Sequence, residues 1–325
     1  RRRGRDDDAH ARDNVRSSSV ERRRTDHAAG CQVGVLDPGL GAPASGLHDD
    51  TIMSSRLIRA PQPALRPFIQ SVWAIDEAGG IPGSSRREHV VPTGAMHLVF
   101  RLSDDTLRLF DDDRDLDGHL VSTAVVGGAR ARFYVRDVSQ PLCSVGAQLR
   151  PGAAQVLFRV HAGELAERHT ALEDLWGVRV VSMRDRLAAA GPRGRRLDTL
   201  EKLLAERLPP VRGLHPAVAQ ALQHLSAATD VHDVAARSGY SHRRFIELFV
   251  HAVGLTPKVY SRVRRFQRAL RQVSGFESFA EVATAAGYSD QSHFNREFRE
   301  CVGVTPTQYR DIGPRFAHHV PIGGR

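Results

Sequence analysis

The chain is poor in sulfur and in aromatic side chains, with three cysteines, three methionines, two tryptophans and five tyrosines in 325 residues. Cys31, Cys143 and Cys301 lie far apart with no Cys-x-x-Cys spacing. That argues against a zinc knuckle and a disulfide framework, and it fits a reducing cytoplasm, the expected location. No apolar run approaches a membrane span, and no signal-peptide pattern stands out. His89, His97 and His119 are the metal candidates, but no His-x-His pair with a nearby Glu supplies adjacent ligands on one strand. His97 is expected as a polar edge residue or a satisfied interior histidine. Asp111, Asp112, Asp113, Asp115 and Asp117 resemble a calcium loop without its closing Glu or its glycine placement, so a solvated acidic turn is expected. Phosphate-cradling loops, paired carboxylates and Ser/His/Asp arrangements are also missing. No catalytic residue, metal or cofactor is expected, and the chain is not expected to be an enzyme.

Residues 1–52 lack Phe, Tyr and Trp, and nine arginines offset nine acidic residues there. Such a segment buries too little apolar surface to offset its ordering entropy, so a disordered extension is expected. The first methionine is Met53, where core-forming sequence begins. From this, residues 1–52 are expected to be an upstream extension outside the working protein. The whole chain carries a net charge of +9 with a pI near 10.2, which favours an anionic partner. The length suggests two domains, and 41% hydrophobic content suffices for their cores.

What is present is a repeat. Asp233-Val-Ala-Ala-Arg-Ser-Gly-Tyr-Ser, Phe245, Phe249, Gly-Leu-Thr-Pro257 and Tyr260 recur as Glu281-Val-Ala-Thr-Ala-Ala-Gly-Tyr-Ser, Phe294, Phe298, Gly-Val-Thr-Pro306 and Tyr309. The offset is 48 residues through the Gly-Tyr-Ser and 49 from the first Phe onward. In copy one, Asp230 can cap a helix carrying Val231, Val234 and Ala235 on one stripe. Gly239 then stops it, because glycine enters the left-handed region without a Cβ clash. Ser241 caps the next helix, whose Phe245, Leu248, Phe249, Ala252 and Val253 face inward until Gly254. In copy two, Ser278 and Glu281 form a capping box, Phe279, Val282, Ala283 and Ala286 make the buried face, and Gly287 breaks it. Ser289 or Asp290 starts the second helix, with Phe294, Phe298, Cys301 and Val302 inward. Helix, glycine turn, helix is the unit that lays its second helix in a major groove.

Thr256 and Pro257 open a helix expected to run to about Val273, roughly 25 Å at about 1.5 Å per residue. Tyr260, Val263, Phe266 and Leu270 form its apolar side; Arg262, Arg264, Arg265, Arg268 and Arg271 cover the rest. A rod of that length suits two recognition helices held about 34 Å apart on one DNA face.

Residues 215–312, with paired Gly-Tyr-Ser turns, the basic linker helix and the closing Gly-Val-Thr-Pro-Thr-Gln-Tyr-Arg310, resemble the DNA-binding domain of AraC-type (AraC/XylS) transcription regulators. The resemblance implies that Arg243, Ile246 and Glu247 of the first unit and Gln291, Ser292, Asn295 and Arg296 of the second meet DNA. Side-chain chemistry supports the second set better: Gln291 and Asn295 can each bond adenine twice, and Arg296 can fork onto guanine. Arg243 is a good guanine reader, and His242 and Arg244 can reach phosphates. Arg299 joins the expected DNA-binding set. Glu247 can accept from cytosine or pair with Arg243 four residues earlier.

Upstream, the signals are β. Met96, Leu98, Phe100 and Leu102 alternate with His97 and Arg101; Cys143, Val145, Ala147 and Leu149 alternate with Ser144, Gly146 and Gln148. Short runs at Leu107–Phe110, Ala124–Val126 and Phe133–Val135 complete a small antiparallel barrel or sandwich. Helical spacing follows at Ala153, Val156, Leu157 and Val160, then from Thr170 with a Thr-x-x-Glu capping box, from Ser182 and from Leu197. Pro63-x-Leu-x-Pro-Phe-Ile-x-x-x-Trp73, Val-Pro-Thr-Gly94 and Leu-Arg-Pro-Gly152 resemble the poorly characterised, cupin-like N-terminal domain of one AraC-type subgroup. That resemblance implies sensing or dimerisation.

The expected fold is α+β. A disordered extension (1–52) precedes a β-rich antiparallel domain with trailing helices (53–208) and a linker (209–214). An all-α DNA-binding domain (215–312) and a disordered tail (313–325) follow. The expected function is sequence-specific transcription regulation on double-stranded DNA. The resemblance makes activation through RNA polymerase the commoner mode and leaves repression, a small-molecule effector and a homodimer open. The alternatives are a DNA-targeted enzyme with chemistry in the β domain, which would need a reactive cysteine, and a non-specific architectural binder with steep salt dependence.

Overall fold

The computed structural model describes residues 55–77, 86–103, 106–208, 214–225 and 231–322. The chain opens with β1 (Arg56–Arg59), a single 3-10 turn at Pro63–Leu65 and β2 (Ile69–Glu77). Next come β3 (Arg87–Val90), β4 (Met96–Arg101), β5 (Leu107–Phe110), β6 (His119–Val121), β7 (Ala124–Gly127), β8 (Tyr134–Asp137) and β9 (Leu142–Leu149). Helices α1 (Ala153–Leu157) and α2 (Ala162–Leu165), strand β10 (His169–Ala171) and helices α3 (Leu172–Trp176), α4 (Arg179–Ala189) and α5 (Arg193–Ala205) complete this region. The helical region contains α6 (Pro216–Leu225), α7 (Val231–Arg237), α8 (His242–Val253), α9 (Pro257–Gln272), α10 (Phe279–Ala286), α11 (Gln291–Val302) and α12 (Pro306–Ile312). It is followed by β11 (His319–Ile322).

The strands form two antiparallel sheets that do not close into one barrel. One has the order β1-β2-β9-β4-β7-β10 and the other β11-β3-β8-β5-β6. The alternation in β4 sets its register: Leu98 lies opposite Ala147 and Val126, and all three are fully buried. Phe100 and Val145 extend that layer, which α3 and α5 cover. Burying such side chains contributes about 1.5–3 kcal/mol each before entropy is subtracted. Gly146, opposite Trp73, has no room for a Cβ against the indole and the Leu98 carbonyl.

Two expectations are corrected here. Thr170 does not open a helical capping box; it lies in β10 opposite Val126, and α3 starts behind Ala171 without a side-chain cap. Pairing with a strand edge distant in sequence outweighed the local signal. The expected disordered tail is ordered through Ile322, because β11 pairs with β3 and places Val320, fully buried, opposite His89. The tail's apolar anchors find partners only on that distant edge. Asp230, residues 209–213 of the expected hinge and the whole 1–52 extension lie outside the described residues.

Candidate nucleic-acid interface

Each repeat folds into two helices around a glycine turn. Gly239 (φ +74°) and Gly287 (φ +87°) occupy the left-handed region, and a Cβ at either would meet open space. Conformation alone therefore selects glycine at both turns. Ser241 caps α8 by accepting from Arg244 N, and Asp290 caps α11 by accepting from His293 N. Both helices have 12 residues and end on left-handed glycines, Gly254 and Gly303. Phe245, Phe249, Phe294 and Phe298 are fully buried. Between the units runs α9, 16 residues capped by Thr256 with Pro257 in its first turn, about 24 Å long. Tyr260, Val263, Phe266 and Leu270 bury one stripe along it.

The candidate DNA-facing residues fall on the outer faces of α8 and α11. His242, Arg243, Arg244, Glu247, Gln291, Ser292, Arg296 and Arg299 are exposed. Ile246 and Asn295, which occupy equivalent positions, are half-buried, and Ile246 packs in part against the core. Asn295 Oδ1 is buried without a hydrogen-bond partner. Glu247 pairs with Arg244 at 2.9 Å, three residues earlier, rather than with Arg243. That bond holds its carboxyl below the usual range.

Several linker arginines serve as staples. Arg265 reaches the buried Glu297 of α11 at 2.6 Å, and Tyr288 donates its hydroxyl proton to the same carboxylate at 2.6 Å. Arg262 meets Glu300 at 3.3 Å, and Arg268 donates to the Ala286 carbonyl at the end of α10. Arg310 of α12 donates to the carbonyls of Val273 and Phe276, which closes the far end of α9. Arginine spacing in the sequence marked a basic rod without distinguishing these staples from free charges.

Both units and the linker helix rest on the β-rich region. Gly152 N donates to Ala252 O of α8 at 2.7 Å, and the His161 and His251 rings stack at 3.9 Å. Against α11, His89 Nδ1 meets the Val302 carbonyl at 2.7 Å while its Nε2 faces Asp113. The acidic turn therefore contributes one carboxylate to this junction. Its Asp112 and Asp115 accept backbone N–H groups within the turn. Gln267 of α9 donates to Pro92 O at 2.7 Å and lies 2.8 Å from Nε2 of the buried His318. Sequence reasoning named Ala252, Val302, His89, Asp113 and Gly152 for other reasons and missed these contacts, because each joins a repeat helix or α9 to residues far away in the chain.

The two described thiol groups are shielded. Cys143 is half-buried, with Sγ 3.1 Å from Asp76 Oδ1, and burial with that carboxylate raises its pKa. Burial pushes the Cys301 thiol up to about 12. Neither environment favours a thiolate. Among the described residues no group of His, Cys, Asp and Glu has the arrangement of a metal site, and no helix is long and apolar enough to cross a membrane.

A family model described as a helix-turn-helix domain matches residues 218–312, and one described as a domain of unknown function (DUF6597) matches residues 58–171. The chain is 29% identical over 89 residues to the probable transcriptional regulator LumQ of Photobacterium leiognathi, covering 27% of this chain and 36% of that protein. It is 28% identical over 125 residues to the arabinose operon regulatory protein of Escherichia coli, covering 35% and 43%. In both cases less than half of the relative's length is spanned. A transcriptional regulator of the AraC-type DNA-binding class from Chromobacterium violaceum is similar at 25% identity and a TM-score of 0.28, over 30% of this chain and 92% of that structure. Residues 218–312 thus form an AraC-type helix-turn-helix domain. The β-rich region before it carries a domain type whose function has no description.

Proposed function

We propose that the chain is a sequence-specific transcription regulator that sets α8 and α11 into successive major grooves of duplex DNA. The observation that carries this reading is a pair of capped 12-residue helices with polar outer faces, spaced by one rigid helix. Gln291 and Arg296 read base edges, and Asn295 joins them once its side chain turns Oδ1 outward; Arg243 contributes a further guanine contact, and His242, Arg244, Ser292 and Arg299 hold the backbone. Ile246 and Glu247 add less, one through partial packing and the other through its pair with Arg244. The protein works in the cytoplasm, as a DNA-binding regulator must in a bacterial cell.

The β-rich region acts as the sensor. Its loop of residues 91–95 supports this reading, because the loop both borders a cavity between the sheets and seats the linker helix. Gly94 lies against Val263 and Tyr260 of α9. A molecule in that cavity presses on the residues that orient both reading heads. Contact with RNA polymerase and pairing of two copies belong to the same proposal.

The test is a footprint with the full chain on fragments selected from genomic DNA. One protomer should protect two half-sites about one helical turn apart. Arg296→Ala should relax preference at one base and weaken binding by about 1–3 kcal/mol. Protection without sequence preference, with affinity set by salt alone, would overturn the reading.

A further inference from the structure

The second face of the larger sheet is not a solvent face. His97 and Val99 of β4, Trp73 and Ile75 of β2, and Tyr134 of β8 line a partly open cavity of about 160 Å³ between the two sheets. Gly127 faces the His97 ring so closely that no Cβ fits there. Most of the wall is apolar, yet five arginines reach it: Arg56, Arg101, Arg130, Arg132 and Arg136. Among the described lining residues there is no Asp or Glu.

The guanidinium groups are not equally compensated. Arg136 is neutralised by Glu88, a nearly buried carboxylate. Arg130 and Arg56 form no ion pair within 4.0 Å among the described residues, and both are half-buried with an Nε that has no hydrogen-bond partner. Arg130 lies over the Tyr134 ring at 4.8 Å and donates from Nη2 to His169 Nδ1 at 3.0 Å. That bond fixes His169 as the neutral tautomer protonated at Nε2. Desolvation lowers the pKa of both arginines; Glu77 and Glu88 partly offset the effect on Arg56, and Tyr134, Glu167 and Asp111 partly offset it on Arg130, none of them in ion-pair contact. Burial and the neighbouring cations hold His97 at about 4 and His318 at about 3, so neither adds charge at neutral pH. What remains is positive charge at Arg130 and Arg56 with no carboxylate in contact, on the wall of a largely apolar cavity. A buried cation without a counter-ion is costly, and a carboxylate is the group whose geometry a guanidinium fork matches.

We propose that the cavity binds a small organic acid, an apolar body about the size of a benzene ring bearing one carboxylate, with Arg130 as the anion's partner. The size follows from the volume, since an apolar cavity of about 150 Å³ takes benzene. The apolar body lies against Trp73, Val99 and Val125, and Arg56 adds positive potential from the same wall. This inference rests on the sensor reading above for its regulatory meaning, but binding itself requires no DNA.

The experiment uses the full chain without DNA near neutral pH. Phenylacetate and cyclohexanecarboxylate are each compared with the primary amide of the same acid, by thermal unfolding and by tryptophan fluorescence. At least one acid should raise the melting temperature saturably and bind at least about tenfold more tightly than its amide. Arg130→Gln should remove that preference, while its unliganded melting temperature stays equal to or above that of the parent. Should Arg130→Gln fail to fold, Arg56→Gln should reduce the preference for the acid. Equal binding of acid and amide, no shift with either acid, or an acid preference that survives Arg130→Gln would overturn the proposal. An intact footprint alongside such a failure leaves the regulator reading standing; acid binding without a footprint leaves only the pocket.

Discussion

The two helix-turn-helix units share a local frame and differ in what fixes it. Gly239 and Gly287, Ser241 and Asp290, and Phe249 and Phe298 do the same work at equivalent points. The first unit, however, shares one continuous apolar core with the β-rich region. The second has its own cluster, to which that region contributes Val91 and Val320 among the described buried residues. Their tyrosines show the contrast. Tyr240 is 42% exposed, whereas Tyr288 is 7% exposed and bonded to Glu297. Glu297 takes the place held by Leu248 in the first unit, so an apolar contact there is replaced by a buried carboxylate held by Arg265. A repeat can duplicate backbone geometry, but attachment depends on the positions at which the two copies differ.

The largest expected effect breaks the second unit where it is unlike the first. Glu297→Ala leaves Arg265 and Tyr288 without their shared acceptor. Removing one partner of a buried pair costs about 3–5 kcal/mol, and Arg265's partial exposure places this case near the lower end. Chemical denaturation should show that loss. Glu247→Ala on α8 should move the denaturation midpoint little, because its pair with Arg244 is exposed on the surface and well screened.

A graded glycine series sharpens the comparison. Gly287→Ala and Gly239→Ala meet no neighbour and carry only the left-handed backbone penalty, about 1–2 kcal/mol. Gly254→Ala adds tight contacts with the Ala162 carbonyl and Ala129 at 3.1 and 3.3 Å. Gly303→Ala drives a methyl group into the His89 ring, the residue that joins α11 to β3, and should cost most. The expected order of denaturation midpoints runs from 287 and 239 at the top through 254 to 303. Equal losses at all four positions would mean that the junctions with the β-rich region carry no strain of their own.

Much of this was legible in the sequence because it is local. Thr256-Pro257 and Thr305-Pro306 announce helix starts, the glycines announce turns, and the Phe spacing announces the buried stripe. Alternation in β4 and β9 also placed Met96, Leu98, Phe100, Val145, Ala147 and Leu149 in the core, whereas Leu102 and Cys143 are half-buried and Arg101 and Ser144 are buried. Alternation cannot, however, say what the other face meets. His97 is expected at a polar edge or as a satisfied interior histidine; β4 lies inside its sheet, and the ring lines a cavity. Arg265 and Arg264 look equivalent in the sequence, and only the distant Glu297 separates them. The ordering of β11 likewise depends on an edge more than 200 residues upstream.

The smallest expected effect concerns one shared position with two uses. Val250 of α8 packs its Cγ1 against Gly163, so this point of the first unit is an attachment. Its equivalent in the second unit is Arg299, exposed near the end of α11 and available to a phosphate. Arg299→Val should therefore leave thermal stability unchanged and weaken DNA binding by under about tenfold, evenly across sequences. It should also reduce the slope of affinity against salt by about one ion. A change in base preference would instead make Arg299 a reader and move the DNA contact further along α11 than the proposal places it. A loss of stability would show that the second unit, like the first, uses this point to hold on to the protein.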